Sequence, residues 1–121
     1  MLKSEEIQRI EKNLKKEIRK IKKVTYQGIF QACELVRGRA MEKTPVDTGN
    51  LKNSAYTKMD AGHGTSAKPT GEVGFTAKYS IYVHENLEAR HPTGEAKFLE
   101  KALQESEKDI VKIIEREAGV K

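Results

Sequence analysis

This 121-residue chain has no tryptophan, a single cysteine and few aromatic residues of any kind, 6% in all. With so little large apolar material, the length supports one small domain with a modest core, residues 1–121, and leaves little room for a deep enzyme pocket. Cys33 cannot close an internal disulfide, and its place among apolar helix positions reads as a buried thiol and not as a nucleophile. No apolar run approaches the roughly 20 residues that a membrane-crossing helix needs. The N-terminus passes straight into a charged, helix-periodic segment with no signal-peptide pattern, so synthesis and use in a cytoplasm are expected. No internal repeat is found.

Charge is abundant, with 23 Lys/Arg, 18 Asp/Glu and a net +5. It is unevenly spread. Residues 1–23 hold Lys3, Arg9, Lys12, Lys15, Lys16, Arg19, Lys20, Lys22 and Lys23 against Glu5, Glu6, Glu11 and Glu17, while the remainder balances. A basic segment on a neutral body can approach nucleic acid or an acidic protein surface, in a salt-dependent way. The plainer account is a solvated helix face, favoured because Glu5/Arg9 and Glu11/Lys15 have the i,i+4 order that supports a helix. At most, weak sequence-independent contact with DNA is expected from it.

From Ser4 to Glu42, apolar or small residues recur at Ile7, Ile10, Leu14, Ile18, Ile21, Thr25, Ile29, Ala32 and Val36, the three-and-four spacing of one amphipathic face. An unbroken helix of that extent would be roughly 58 Å long, against about 35 Å for a compact domain of this size. Two solutions follow. Either Gly28 or Gly38 breaks the helix so that it folds back, or the stripe Ile7, Ile10, Leu14 and Ile18 is covered by another subunit. The second is preferred, which makes those four residues a candidate oligomer interface.

The sequence then changes character. Pro45 disfavours helical geometry at Thr44, so a helix arriving from the N-terminus stops near Lys43. Asp47 can accept from the next backbone amides, Thr48 follows it, Gly49 can take a positive φ, and Leu51 is the next candidate for burial. Together Thr44, Pro45, Asp47, Thr48, Gly49 and Leu51 read as a structural corner between helix and strand. Leu51 to Met59 is a plausible strand with Ala55, Thr57 and Met59 on one face, and Glu72 to Thr76 is a second. Between them, Asp60 to Gly71 is long, polar and glycine-rich, a candidate contact loop containing Gly62, His63, Gly64 and Lys68. Its glycines do not fit a phosphate-binding loop. Tyr79 to Glu85 suits strand and helix equally. After His91-Pro92-Thr93-Gly94, Thr93 can cap a helix in which Phe98, Leu99, Ala102, Leu103, Ser106, Ile110, Ile113 and Ile114 share a face up to a stop at Gly119. The fold class expected is α+β: a long N-terminal helix (1–43), then a body (44–121) of small antiparallel sheet and C-terminal helix packed on it.

Three constellations suggest chemistry and fail on context. Asp47-Thr48-Gly49 is the triplet of aspartic proteases that share one proton between two aspartates, but that fold needs an apolar strand leading into the aspartate and an almost wholly β chain. His84, Glu85, Glu88 and His91 resemble metal ligands, yet a zinc-protease helix needs histidine where Glu88 stands, and His91 precedes Pro92. No Ser-His-Asp or Cys-His set can be assembled. No enzyme activity, cofactor or metal is expected.

The blocks Thr44-Pro45-Val46-Asp47-Thr48-Gly49-Asn50-Leu51 with Ser54, Tyr79-Ser80-Ile81-Tyr82-Val83-His84-Glu85, and Gly94-Glu95-Ala96-Lys97-Phe98-Leu99-Glu100-Lys101-Ala102-Leu103 resemble, in order and spacing, the tail-completion (head-tail joining) proteins of long-tailed bacteriophages and prophages. Asn86 and Lys97 stand where many members have glycine and proline. The resemblance implies a structural virion protein, made in a bacterial host, that assembles as a homo-oligomeric ring, hexameric in the family, at the neck. Its implied neighbours are a connector or portal-side protein on one side and a tail-tube or tail-terminator protein on the other, with no membrane involved. The alternative from another class is a small basic nucleic-acid-binding module using residues 1–23.

Overall fold

Helix α1 runs Glu5–Arg19, and the sequence accounts for both of its ends. Glu5 and Glu6 lie in the first turn and Lys16 and Arg19 in the last, which matches the positive and negative ends of the helix dipole. Its last turn tightens: the amides of Lys20 and Ile21 donate to the carbonyls of Glu17 and Ile18. The chain then turns through residues 20–25 and begins α2, Tyr26–Lys43. Thr25 caps this second helix, its Oγ1 accepting from the Gly28 amide at 3.0 Å. The computed structural model describes residues 5–43, 53–62, 68–75, 79–82 and 97–119.

The fold-back therefore occurs, but not at either glycine proposed for it. Gly28 and Gly38 both lie inside α2. The break falls at Lys20-Ile21-Lys22-Lys23-Val24-Thr25, where Ile21 is buried and Val24 packs partly against the core. Two apolar anchors and a capping threonine end one helix and start the next.

Three strands follow, β1 Ala55–Asp60, β2 Thr70–Phe75 and β3 Tyr79–Tyr82, in the order β1-β2-β3 with both pairings antiparallel. The register sets Met59 against Gly71 and Ala55 against Phe75, and Val73 against Ile81. The segment that suited strand and helix equally is thus a strand over 79–82; residues 83–85 lie outside the described residues. The strand expected from Leu51 begins at Ala55, after a turn at 53–54.

The last helix, α3 (Lys97–Glu117), is the common neighbour of the other two. Gly28 lies beside Ile114 and Glu117, and Arg39 reaches Ser106 and Asp109, so α2 and α3 run antiparallel. Glu6 meets Gln104 and Asn13 meets Glu107, so α1 and α3 run parallel. α2 also lies over β1 and β2, whereas α1 and α3 approach the sheet chiefly at β3. The class is α+β as expected, with the C-terminal helix packed chiefly on α2 and α1. Gly119 ends it with φ +84°, and the Ala118 and Gly119 amides close the last turn.

One buried cluster joins the three helices and β2, from Ile7, Ile10, Leu14 and Ile18 through Ile29, Cys33 and Val36 to Val73, Phe75, Leu103, Ile110 and Ile114, with Ala55 and Met59 of β1 packed against it. The candidate interface stripe therefore needs correction. Ile10, Leu14 and Ile18 are fully buried and Ile7 nearly so within a single chain, because α1 folds back and α3 covers the face that a continuous helix would have left bare. Each side chain removed from water in this way contributes about 1.5–3 kcal/mol.

Candidate interaction surfaces

The corner Thr44, Pro45, Asp47, Thr48, Gly49 and Leu51 lies outside the described residues. Its two flanks are visible. On one side Lys43, the last residue of α2, pairs with Glu105 of α3 at 2.8 Å; on the other, β1 starts at Ala55. Of the candidate contact loop, Gly62 and Lys68 are described, while His63 and Gly64 are not. Gly62 has φ +84° and its amide donates to Asp60 Oδ1 at 2.8 Å, an Asx turn that peels the chain away from β1. Lys68 is exposed, beside buried Pro69.

Where α2 meets the sheet, backbone and side chain fit closely. A Cβ placed on Gly71 would collide with Cys33 Sγ and approach Ile29 Cγ2 to 3.1 Å and Met59 Sδ to 3.2 Å. Only glycine lets β2 come this near to the helix. Burial, and after it the charge of Glu34, pushes the Cys33 thiol far up, so the thiolate that a nucleophile requires is suppressed. The next residue, Glu34, accepts from Arg37 Nη2 at 2.7 Å and from Thr57 Oγ1 at 2.7 Å. Those contacts, the Arg37 hydrogen bond foremost, hold its carboxyl below the usual range against the opposing effect of burial. This cluster ties α2 to β1; its polar groups are engaged with one another.

The same holds for carboxylates along α3. Glu107 accepts from Asn13 Nδ2 at 2.5 Å, Asp109 pairs with Arg39 at 3.0 Å, and Arg39 also donates to buried Ser106 Oγ at 3.0 Å. Glu6 pairs with Arg9 at 2.7 Å and accepts from Gln104. The pair expected between Glu5 and Arg9 is thus replaced by Glu6–Arg9, because Glu6 also reaches α3. An open groove of about 700 Å³ lies between α1 and α3, but Glu17, on its wall, already faces Lys20.

The basic residues after Asn13 are differently placed. Lys12, Lys16, Lys22 and Lys23 are exposed, and Tyr26, at the start of α2, is the large hydrophobic side chain that stands out among the described residues, 47% exposed. Sequence reading missed Tyr26, the Thr25 cap and the Gly71 contact. The cap was legible as Thr followed by a helix pattern, whereas Tyr26 and Gly71 depend on which elements become neighbours. Among the described residues no group of His, Cys, Asp and Glu is placed to hold a metal, and no helix is long and apolar enough to cross a membrane. His84, Glu85, Glu88 and His91 lie outside them.

A family model described as "Bacteriophage HK97-gp10, putative tail-component" matches residues 5–85. That span runs from the start of α1 through β3 and takes in the corner and the glycine-rich loop; α3 lies beyond it. Neither a curated protein nor a solved structure matches the chain.

Proposed function

Because the chain belongs to the HK97-gp10-like family of bacteriophage tail components, we propose that it is the piece that joins head to tail, acting at the neck as a homo-oligomeric ring. The observation that carries this reading is the match over residues 5–85, combined with the Thr44–Leu51 corner and the later sequence blocks that resemble tail-completion proteins. In this reading the ring touches a connector or portal-side protein on one side and a tail-tube or terminator protein on the other. It acts by shape and contact, without cofactor or catalysis.

Several features of the molecule suit such a role. The core is closed within one chain, so a subunit can persist before assembly, and the α2–α3 and α2–β1 contacts give it a rigid body. The subunit interface, once sought at Ile7, Ile10, Leu14 and Ile18, must be sought on outer surfaces instead. The connection between β1 and β2, residues 61–69, is the first candidate.

A phage or prophage in which the coding sequence is interrupted tests the proposal. The expected result is DNA-filled heads and separate tails of normal length that fail to join, with joining restored by adding the purified protein. Particles lacking tails altogether, or tails of irregular length, would assign the protein to the tail shaft and overturn the joining role.

A further inference from the structure

We propose that the outer side of α1 and the α1–α2 connection, Lys12, Lys16, Lys22 and Lys23 with Tyr26, form a contact surface for the phosphate backbone of double-stranded DNA. This inference is independent of the joining role. Between residues 12 and 23 the chain carries seven Lys/Arg (Lys12, Lys15, Lys16, Arg19, Lys20, Lys22, Lys23) and one carboxylate, Glu17.

Elsewhere in the described chain most of the charge is spent internally. Glu34, Glu105, Glu107 and Asp109 each engage a basic or polar partner. By contrast, no carboxylate among the described residues lies within ion-pair distance of Lys12, Lys15, Lys16, Lys22 or Lys23. The C-terminal ends of α1 and α3, which meet at this end of the molecule, have negative dipole ends that attract cations. Each is worth only about half a charge, far less than the net +6 of residues 12–23. Within this surplus Lys12, Lys16, Lys22 and Lys23 are exposed to water.

Geometry places these cations together. Lys12 and Lys16 lie one turn apart on the side of α1 opposite Leu14, which is fully buried. The connection then carries Lys22 and Lys23, both exposed, to the capped start of α2, where Tyr26 projects. No carboxylate occupies the first turn of α2 itself, so the positive end of that helix adds to the charge; Glu117 of α3, beside Gly28, is paired with Arg116.

The composition selects the partner. Protein interfaces are depleted in lysine and centre on packed apolar side chains, but here six of the seven cations are lysine and Tyr26 is the exposed aromatic among the described residues. Lysine offers a point charge and not the two-pronged fork with which arginine reads a base edge. Such a surface suits phosphates and is indifferent to sequence.

The test is fluorescence anisotropy of the full chain with two 30-base-pair duplexes of unrelated sequence, between 50 and 200 mM salt. Both duplexes should bind equally, with a log–log salt slope of about −4 to −5, corresponding to roughly five phosphate contacts, and an affinity loss of several hundredfold across that range. The variant Lys16→Glu/Lys22→Glu/Lys23→Glu should lose at least about 100-fold at 50 mM salt and flatten the slope by about three. Tyr26→Ala should cost a few-fold and leave the slope alone. The control Lys58→Glu/Lys68→Glu/Lys101→Glu makes the same charge change at exposed positions elsewhere and should leave most of the affinity. The proposal is overturned by no binding at 50 mM salt, by a control that weakens binding as much as the first variant, or by poly-glutamate binding as tightly as DNA, which would reassign the surface to an acidic protein. Circular dichroism of each variant, all altered residues being at the surface, verifies that the fold is kept.

Discussion

Helices α1 and α2 began as one continuous pattern and became two different kinds of helix. α1 buries a single narrow stripe, Ile7, Ile10, Leu14 and Ile18, against α3, and exposes charge on the rest of its surface. α2 is covered on two sides: Ile29 and Cys33 face β2 at Gly71, while Gly28 and Arg39 face α3. Its buried set is accordingly small as well as apolar, with Gly28, Ala32, Cys33 and Ala40 beside Ile29 and Val36. A helix with one main neighbour needs a stripe of large side chains, whereas a helix pressed from two sides needs room. The amphipathic pattern by which helices are recognised is therefore strong in α1 and faint in α2, although α2 is the more central of the two.

The largest effect should come from the stripe of α1. Leu14→Ala should cost about 2–5 kcal/mol, since its side chain is fully buried and the site is held from several sides. Replacing Ile10 and Leu14 together by Ser adds the burial of two hydroxyls and should unfold the whole chain, as read by thermal denaturation. If that double variant instead kept its stability and changed only its oligomeric state, the stripe would belong to a subunit interface after all, and the contrast between the helices would fail.

Next in size is the squeezed side of α2. Gly71→Ala forces a methyl onto Cys33 Sγ and should cost about 1–3 kcal/mol. The double variant with Cys33→Ala should recover part of that loss, which a double-mutant cycle from urea unfolding measures directly. Additivity would mean that the two residues do not share the space. The native thiol should also react slowly with a thiol reagent and become fast only when the chain is unfolded, because burial holds it protonated.

At the joint between the helices, Thr25→Ala removes the oxygen that receives the Gly28 amide. About 1 kcal/mol should be lost, with Thr25→Ser restoring most of it. A neutral Thr25→Ala would mean that Ile21 and Val24 alone define the joint.

How far the sequence reveals this fold depends on the same difference. Tyr79–Tyr82, now β3, suited strand and helix equally, whereas α1, α3, the approximate places of β1 and β2 and the Gly119 stop were legible because one-sided burial and glycine or threonine punctuation leave local marks. The position of the break was not, since residues 20–25 contain neither glycine nor proline and the chain turns there to satisfy packing of Ile21 and Val24. The stripe was read correctly as apolar and assigned to the wrong cover, because a periodic pattern says that a face is buried and not what buries it. The Gly71–Cys33 approach was hidden for a related reason: two residues 38 positions apart reveal their fit only when the helix and strand are laid together. Of the candidate site, the unbalanced charge of residues 12–23 could be counted directly. That Lys12, Lys16, Lys22 and Lys23 have no carboxylate partner among the described residues required knowing where the glutamates had gone.

The smallest effect concerns two depressed carboxyls, one for each helix. Glu6 of α1 is held down to about 2, chiefly by its hydrogen bond from Arg9 and then by Gln104; Glu34 of α2 is lowered chiefly by Arg37, with Thr57 assisting against the cost of burial. In both, the folded carboxyl is more acidic than the unfolded one. The stabilisation is therefore fully present above the ordinary value of 4.5 and is lost as pH falls, for Glu6 between about 4.5 and about 2. The two should differ in salt. The two carboxylates are equally exposed, but Arg9 is 57% exposed and Arg37 only 31%, so ions screen the Glu6 pair more, and Glu34 also joins α2 to β1 through Thr57. Glu34→Gln should flatten the acid limb of the thermal midpoint at both low and high salt. Glu6→Gln should do so only weakly, and at 0.5 M salt hardly at all. If instead both variants lost their effect equally in salt, the Glu34–Arg37 pair would be as wet as the Glu6–Arg9 pair, and the closer packing claimed for the sheet side of α2 would be wrong.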